Sequence, residues 1–192
     1  MPLRTQYLAD VGLCSNPYPK SPGKRIAEIY RTARMGQIGQ TFAMQIWSRH
    51  LSSLHAQAVA GTLPVIQKDY DDLIVRAALK LEATLSAAGK GGFGIAQKIV
   101  NLFMKDLWAL GVIAMPTETL LHAPIDRGVL SRFKKVPKPW AAWTKAAAGT
   151  PRSPTIKDYI SLQDQLRNLW SSSPIRFLSV IQMDQFLWHQ IP

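Results

Sequence analysis

Four glycines in six residues, Gly89, Gly91, Gly92 and Gly94, stand between two stretches whose apolar residues recur at the helical period. A helix does not run through such a cluster, so the chain has to turn there. Before the turn, residues 68–88 place Leu73, Ile74, Ala77, Ala78, Leu81 and Leu85 on one face. After it, Ile95, Ile99, Leu102, Phe103, Leu107 and Leu110 do the same. The expectation is two helices packed against each other across the glycines. Lys98, Asn101, Lys105 and Trp108 follow the same steps on another face of the second helix. Lys98 and Lys105 lie two turns apart, about 10 Å along the axis. Glycines that allow positive φ, followed by the free N–H groups of a helix start, suit a phosphate oxygen. An ordinary surface helix with solvated lysines fits the same spacing.

Pro116 and Pro124 interrupt the segment that follows, MPTETLLHAPID. Asp126 comes next, placed to cap a helix through Val129, Leu130 and Phe133. Elsewhere the chain also reads as helical. Residues 1–23 hold NPYPKSPG and read as an irregular arm. A helix is expected from Pro22 to about Arg34, with Lys24, Arg25, Arg31 and Arg34 exposed. Another is expected over 37–60; its His50 and His55 are spaced poorly for a shared metal and read as surface or hydrogen-bonding residues. Asp69, Asp71 and Asp72 read as a capping cluster at the start of the 68–88 helix. Residues 155–170 should bury Ile156, Ile160, Leu166 and Leu169, and a last helix should run from Ser173 to about Trp188. No strand stands out. The expected fold is all-α, one compact helical domain over 1–192, open to division into two lobes around a cleft. Its parts are an arm (1–23), the paired helices and the segment after them (68–135), and a C-terminal helix pair (155–192).

Charge narrows the partner. The chain carries 23 Lys and Arg against 12 Asp and Glu, a net +11. Residues 127–157 contain eight basic side chains and no acid, among them Arg127, Arg132, Lys134 and Lys135. Such a surface predicts a polyanion, most often nucleic acid. Trp140 and Trp143 stand in this basic stretch, as core anchors or as platforms on which a base stacks. Cys14 is the only cysteine, which excludes an internal disulfide and argues against a cysteine metal site. GKGGFGIAQK lacks the G-K-[ST] of a phosphate-binding loop, and no G-x-S-x-G occurs. The start MPLRTQYLADVG has no signal-like apolar run, and no stretch is long and apolar enough to span a membrane. A cytoplasmic location follows as the expectation, beside the nucleoid if the source is bacterial.

Two pieces, GGFGIAQKIVNLFMK and HAPIDRGVL, together resemble the helix-hairpin-helix DNA glycosylase superfamily. The Lys98-x6-Lys105 spacing followed by APID is most similar to the archaeal-type 8-oxoguanine glycosylases of that superfamily. The resemblance covers about forty residues. It implies a helix-hairpin-helix whose glycines, Gly92 and Gly94, hold the DNA backbone with Arg127, Arg132, Lys134 and Lys135. It implies Lys98 as a Schiff-base nucleophile and Asp126 as its carboxylate partner. Lys105, 21 residues before Asp126, is the second candidate; the 28 residues from Lys98 exceed the spacing of the commoner branch. Trp108, Trp140 and Trp143 are candidates for the base pocket. The implied partner is duplex DNA with a flipped base; the chemistry requires no cofactor or metal, and no obligate protein partner is evident. A helix-hairpin-helix protein that binds nucleic acid without chemistry fits the composition equally, and an RNA- or ribosome-associated helical protein is a third reading.

Overall fold

The computed structural model describes residues 3–32, 36–131, 154–173 and 175–188. They form an all-α fold without a strand among the described residues. The helices are α1 (Leu3–Asp10), α2 (Pro22–Thr32), α3 (Gln40–Ile46), α4 (Ser52–Val59), α5 (Gln67–Ala87), α6 (Phe93–Ala109), α7 (Arg127–Leu130), α8 (Ile156–Ser171) and α9 (Val180–Trp188). A wide turn, Trp47–Leu51, joins α3 to α4, and a short 3-10 turn, Thr117–Leu120, follows α6.

The architecture is centred on α6. Its sequence, FGIAQKIVNLFMKDLWA, has apolar residues on more than one side, so a single buried face cannot accommodate them. The structure surrounds it instead: α1, α2 and α5 all pack on it, and only Leu102 is less than fully buried. Lys98, Asn101 and Lys105 are buried too, which overturns the picture of a surface helix with solvated lysines. Helix α5 is the amphipathic partner. Tyr70, Ile74, Ala78, Leu81 and Leu85 form its buried stripe at three- and four-residue steps. Full burial of one such leucine contributes about 1.5–3 kcal/mol.

The turn between α5 and α6 follows from its glycines. Gly89 sits at φ +64°, just past the end of α5. Its N–H donates to the Ser86 carbonyl (3.0 Å) and the Lys90 N–H to the Leu85 carbonyl (2.7 Å). This paired cap satisfies two of the carbonyls that a helix end leaves open. Gly111, at φ +73°, ends α6 in the same way with bonds to the Trp108 and Leu107 carbonyls. Helix α8 starts on a reciprocal cap: Thr155 Oγ1 accepts from the Asp158 N–H at 3.1 Å, and the Asp158 carboxylate accepts from the Thr155 N–H at 2.9 Å.

Several expectations are corrected. Residues 3–10 form helix α1, which packs on α6 and α9. Its apolar periodicity is weak; it is held by Tyr7 and Arg4, whose partners lie about a hundred residues away. Arg25 is buried rather than exposed, because its guanidinium binds the carboxylate of Asp106. Asp71 caps nothing: it accepts from His122 Nε2 at 2.7 Å and from Arg167 Nη2 at 2.6 Å. The buried side of α8 is Tyr159, Leu162, Gln163 and Leu166; Ile156 and Leu169 are exposed. The stripe is rotated because Tyr159 and Gln163 have buried hydrogen-bond partners on other elements. The last helix begins at Val180, later than Ser173.

Buried carboxylates tie the outer helices together. Asp106 of α6, fully buried, accepts from Tyr7 Oη (2.6 Å), Tyr18 Oη (2.5 Å), Arg25 Nε (2.7 Å) and Arg25 Nη2 (2.8 Å). Glu118 accepts from Arg4 (2.5 Å), Trp108 Nε1 (2.7 Å) and Gln182 Nε2 (2.8 Å), linking α1, α6 and α9. Each charge is compensated by donors from several elements, as a buried carboxylate must be.

Candidate active site

Local sequence explains how each side chain reaches the site. Lys98 and Lys105 point to the same side of α6, two turns apart. Asp126 stands two residues after Pro124, at the end of an irregular segment and just before α7; its Oδ1 accepts from the Val129 N–H at 3.0 Å. The expected cap is therefore present, and the same carboxylate turns its other oxygen, Oδ2, toward Lys98 Nζ at 3.6 Å. That is an ion-pair distance, longer than a hydrogen bond of ordinary length. Lys105 Nζ lies 2.6 Å from Asp184 Oδ2 of α9 and 5.0 Å from the centre of the Tyr7 ring.

All four charged groups line one cavity of about 450 Å³, with Tyr7 and Arg25 completing part of its wall. Lys98 and Lys105 are 6% and 4% exposed, so both side chains are buried for most of their length. Burial pushes the Asp184 carboxyl above the usual carboxylate range even though Lys105 pulls it down, and the Asp126 charge adds to the rise. The wall is stiffened by the Asp106 cluster. Burial and the Asp106 charge hold the Tyr7 and Tyr18 hydroxyls well above their ordinary value, so both remain donors. Burial acts to lower the Arg25 guanidinium, but its bonds to Asp106 outweigh this and raise it.

Sequence-predicted residues are thus partly united. Lys98, Lys105 and Asp126 meet in the cavity. Trp108 does not: it is fully buried, donates to Glu118 and has the Arg4 guanidinium over its ring at 5.4 Å, so it is a core residue and not a pocket wall. Gly92 and Gly94 are buried, and the exposed rim of the turn is residues 86–90. Arg132, Lys134, Lys135, Trp140, Trp143 and the side chain of Arg127 lie outside the described residues. Asp184, Tyr7 and Arg25 were missed. An acid inside the apolar run VIQMDQFLW was the available signal for Asp184; nothing local marked Tyr7.

Among the described residues no group of three or more His, Cys, Asp or Glu could hold a metal ion, and no helix is long and apolar enough to cross a membrane. Comparison with family models, with curated proteins and with solved structures finds no match to this chain. What the site can do is therefore argued from its own chemistry: two amines, each paired with a carboxylate, in a strongly basic chain and in a cleft whose lining also holds Asp10, Glu28, Arg25 and Arg31.

Proposed function

We propose that the protein is a DNA glycosylase with an associated lyase activity, acting on a damaged or modified base. The observation that carries this reading is the Lys98–Asp126 pair, 3.6 Å apart and lining a cavity large enough for a base. Departure of the base breaks its bond to the sugar carbon, and the electron pair leaves with the base nitrogen. Positive charge develops on the sugar, where the Asp126 carboxylate stabilises it. Lys98 Nζ, made neutral by passing a proton to the departing base, bonds to that carbon. A second proton then moves from the nitrogen to the ring oxygen as the bond between that oxygen and the carbon breaks, which leaves the C=N of a protonated Schiff base. Loss of a proton from the neighbouring sugar carbon then expels the 3′ phosphate, which breaks the strand on the 3′ side. The net charge of +11 and the turn between α5 and α6, read as a hairpin, would hold the DNA backbone. A base has to leave the stack to enter such a cavity.

One observation favours a binding protein without chemistry: each cavity lysine has a carboxylate partner, as a buried structural lysine does. Borohydride trapping separates the two. Duplexes carrying 8-oxoguanine, uracil, an abasic site or a bulky modified cytosine are incubated with the protein and reduced. The glycosylase reading expects a covalent adduct that Lys98→Gln abolishes. An adduct that survives Lys98→Gln and disappears in Lys105→Gln moves the nucleophile to Lys105. Released base without an adduct leaves a glycosylase that relies on Asp126 alone. Salt-sensitive binding with neither adduct nor released base on any duplex favours the binding protein.

A further inference from the structure

Asp126 ends a loop, residues 121–126, that has no helical or strand structure of its own. Two buried glutamines do for it what a neighbouring strand would do. Gln97 of α6 accepts from the Ile125 N–H through Oε1 at 3.2 Å and donates through Nε2 to the Ile125 carbonyl at 2.9 Å. Gln163 of α8 does the same at Ala123: its Oε1 accepts from the N–H at 3.2 Å and its Nε2 donates to the carbonyl at 2.8 Å. Each side-chain amide thus makes the two-bond exchange that pairs residues across an antiparallel ladder. Gln97 and Gln163 are 0% and 1% exposed.

The orientation of the Gln97 amide is fixed by its neighbours. Its Oε1 faces two N–H donors, Ile125 and Asn101 Nδ2 (3.1 Å), and its Nε2 faces two carbonyls, Ile125 and Gly94 (2.8 Å). Asn101 also donates to Tyr159 Oη (2.9 Å), which lies 2.5 Å from His122 Nδ1, and His122 Nε2 lies 2.7 Å from Asp71 Oδ1 and 2.9 Å from Arg167 Nη2. A continuous hydrogen-bonded chain therefore backs the amide, starting at the half-buried Arg167–Asp71 ion pair and buried from His122 to Gln97. Gln97 precedes Lys98 in sequence, and Ile125 precedes Asp126. The clamp joins the two halves of the ion pair by a short route.

We propose that Gln97, assisted by Gln163, is the positioning residue that sets Asp126 against Lys98; the inference rests on reading that pair as the catalytic one. Gln97→Met keeps roughly the volume and leaves the Ile125 N–H and carbonyl unpaired. Gln97→Glu is a conditional version. Protonated, its C=O accepts as the amide oxygen does and its single O–H can donate to the Ile125 carbonyl; ionised, it has only acceptors and faces two carbonyl oxygens. Burial raises the pKa of such a carboxyl. The titratable and charged groups around it are Lys98 and Asp126 on the cavity side, and Tyr159, His122, Asp71 and Arg167 behind Asn101.

Single-turnover base release, DNA affinity and amide hydrogen exchange at Val129 are measured from about pH 5 to about pH 8 in wild type and both variants. Val129 is informative because its N–H bonds Asp126, not Gln97. Gln97→Met should lose at least about tenfold in release at every pH with DNA affinity unchanged, as small misplacements of reacting groups do. Gln97→Glu should approach wild type at the acid end and fall to the Gln97→Met level at the alkaline end, with Val129 protection following the same course. Wild-type release by Gln97→Met, or a Gln97→Glu profile parallel to wild type, overturns the proposal. Should Gln97→Met fail to fold, the Gln97→Glu profile alone decides. Should the wild type release no base and trap no adduct, the glycosylase reading has failed, and Val129 exchange still judges the clamp: protection lost in Gln97→Met and regained by acid in Gln97→Glu supports it, and unchanged protection overturns it.

Discussion

Lys98 and Lys105 are both buried and both face a carboxylate, but at different distances. The 2.6 Å bond of Lys105 to Asp184 is a charge-assisted hydrogen bond, whereas Lys98 and Asp126 stand 3.6 Å apart with cavity beside them. On the glycosylase reading, the more widely separated pair is the one offered to the sugar carbon. Lys98→Gln should therefore abolish trapping and leave DNA affinity within about twofold, since the lysine is buried and adds little to the phosphate-facing charge. Asp106 carries no chemistry and should matter more for folding. Replacing it by alanine strands a buried guanidinium and two tyrosine hydroxyls, so Asp106→Ala should cost about 3–5 kcal/mol in urea denaturation. An unchanged midpoint would show that the cluster relaxes toward water. The lysines and Asp126 were singled out by the resemblance of their motifs to a family pattern; spacing alone fitted a solvated surface helix and a capping aspartate equally well. Arg25 and Asp106 were not: a charged residue reads as exposed unless its partner is visible, and this pair is separated by 81 positions.

Helices α5 and α6 and their boundaries follow from local chemistry. Their apolar steps and glycine ends are properties of short windows, and the structure places α5 at Gln67–Ala87 where the pattern predicts 68–88. Gly89 supplies a test at this scale. It has open space around the position of a Cβ, so Gly89→Ala meets only the cost of left-handed backbone, about 1–2 kcal/mol. A loss of stability of that size, with DNA binding retained, would isolate the backbone effect; no loss would mean the turn adopts another conformation. Helices α1, α8 and α9 were read less well. Helix α1 is short and weakly patterned, and the buried face of α8 contains Gln163 and Tyr159, polar residues that an apolar stripe cannot reveal.

At the scale of the whole molecule, the buried polar chain makes stability depend on pH. Burial lowers the His122 pKa below its ordinary 6.5, with Arg167 adding to the fall and Asp71 opposing it. Burial acts to raise Asp71, but its bonds from His122 and Gln67 and the Arg167 charge hold it below its ordinary 3.8. A group depressed in the folded state contributes stability that is present above its unfolded pKa and lost as pH falls through the folded one. Stability should therefore begin to fall as pH drops below 6.5 and fall further below 3.8. Asp184 is raised and acts oppositely, its contribution being full below 3.8 and lost as pH rises through its folded value. Urea midpoints across pH check the sign; burial lowers His50 and His55 as well, so His122→Gln should shrink the step that starts at 6.5, and a step unchanged in His122→Gln would contradict a buried neutral imidazole at that position. Salt offers a second check. Lys90 is exposed on the α5–α6 turn, so Lys90→Gln should reduce the slope of log affinity against log salt by about one, and Lys98→Gln should leave it unchanged. The reverse result would place the DNA contact in the cavity and favour the binding protein.

The sequence by itself determined the helical class, the α5–α6 turn, the basic charge and the lysine and aspartate candidates, because each depends on residues within a few turns of one another or on composition alone. Only the tertiary structure decided which face of α8 is buried, that α1 is a helix, and that Asp184, Tyr7 and Arg25 join the lysines in one cavity. Those outcomes turn on buried polar pairs spanning tens to more than a hundred positions. The free energy of such a pair depends on desolvation and on the partner's placement, and neither is written in any local stretch of the chain.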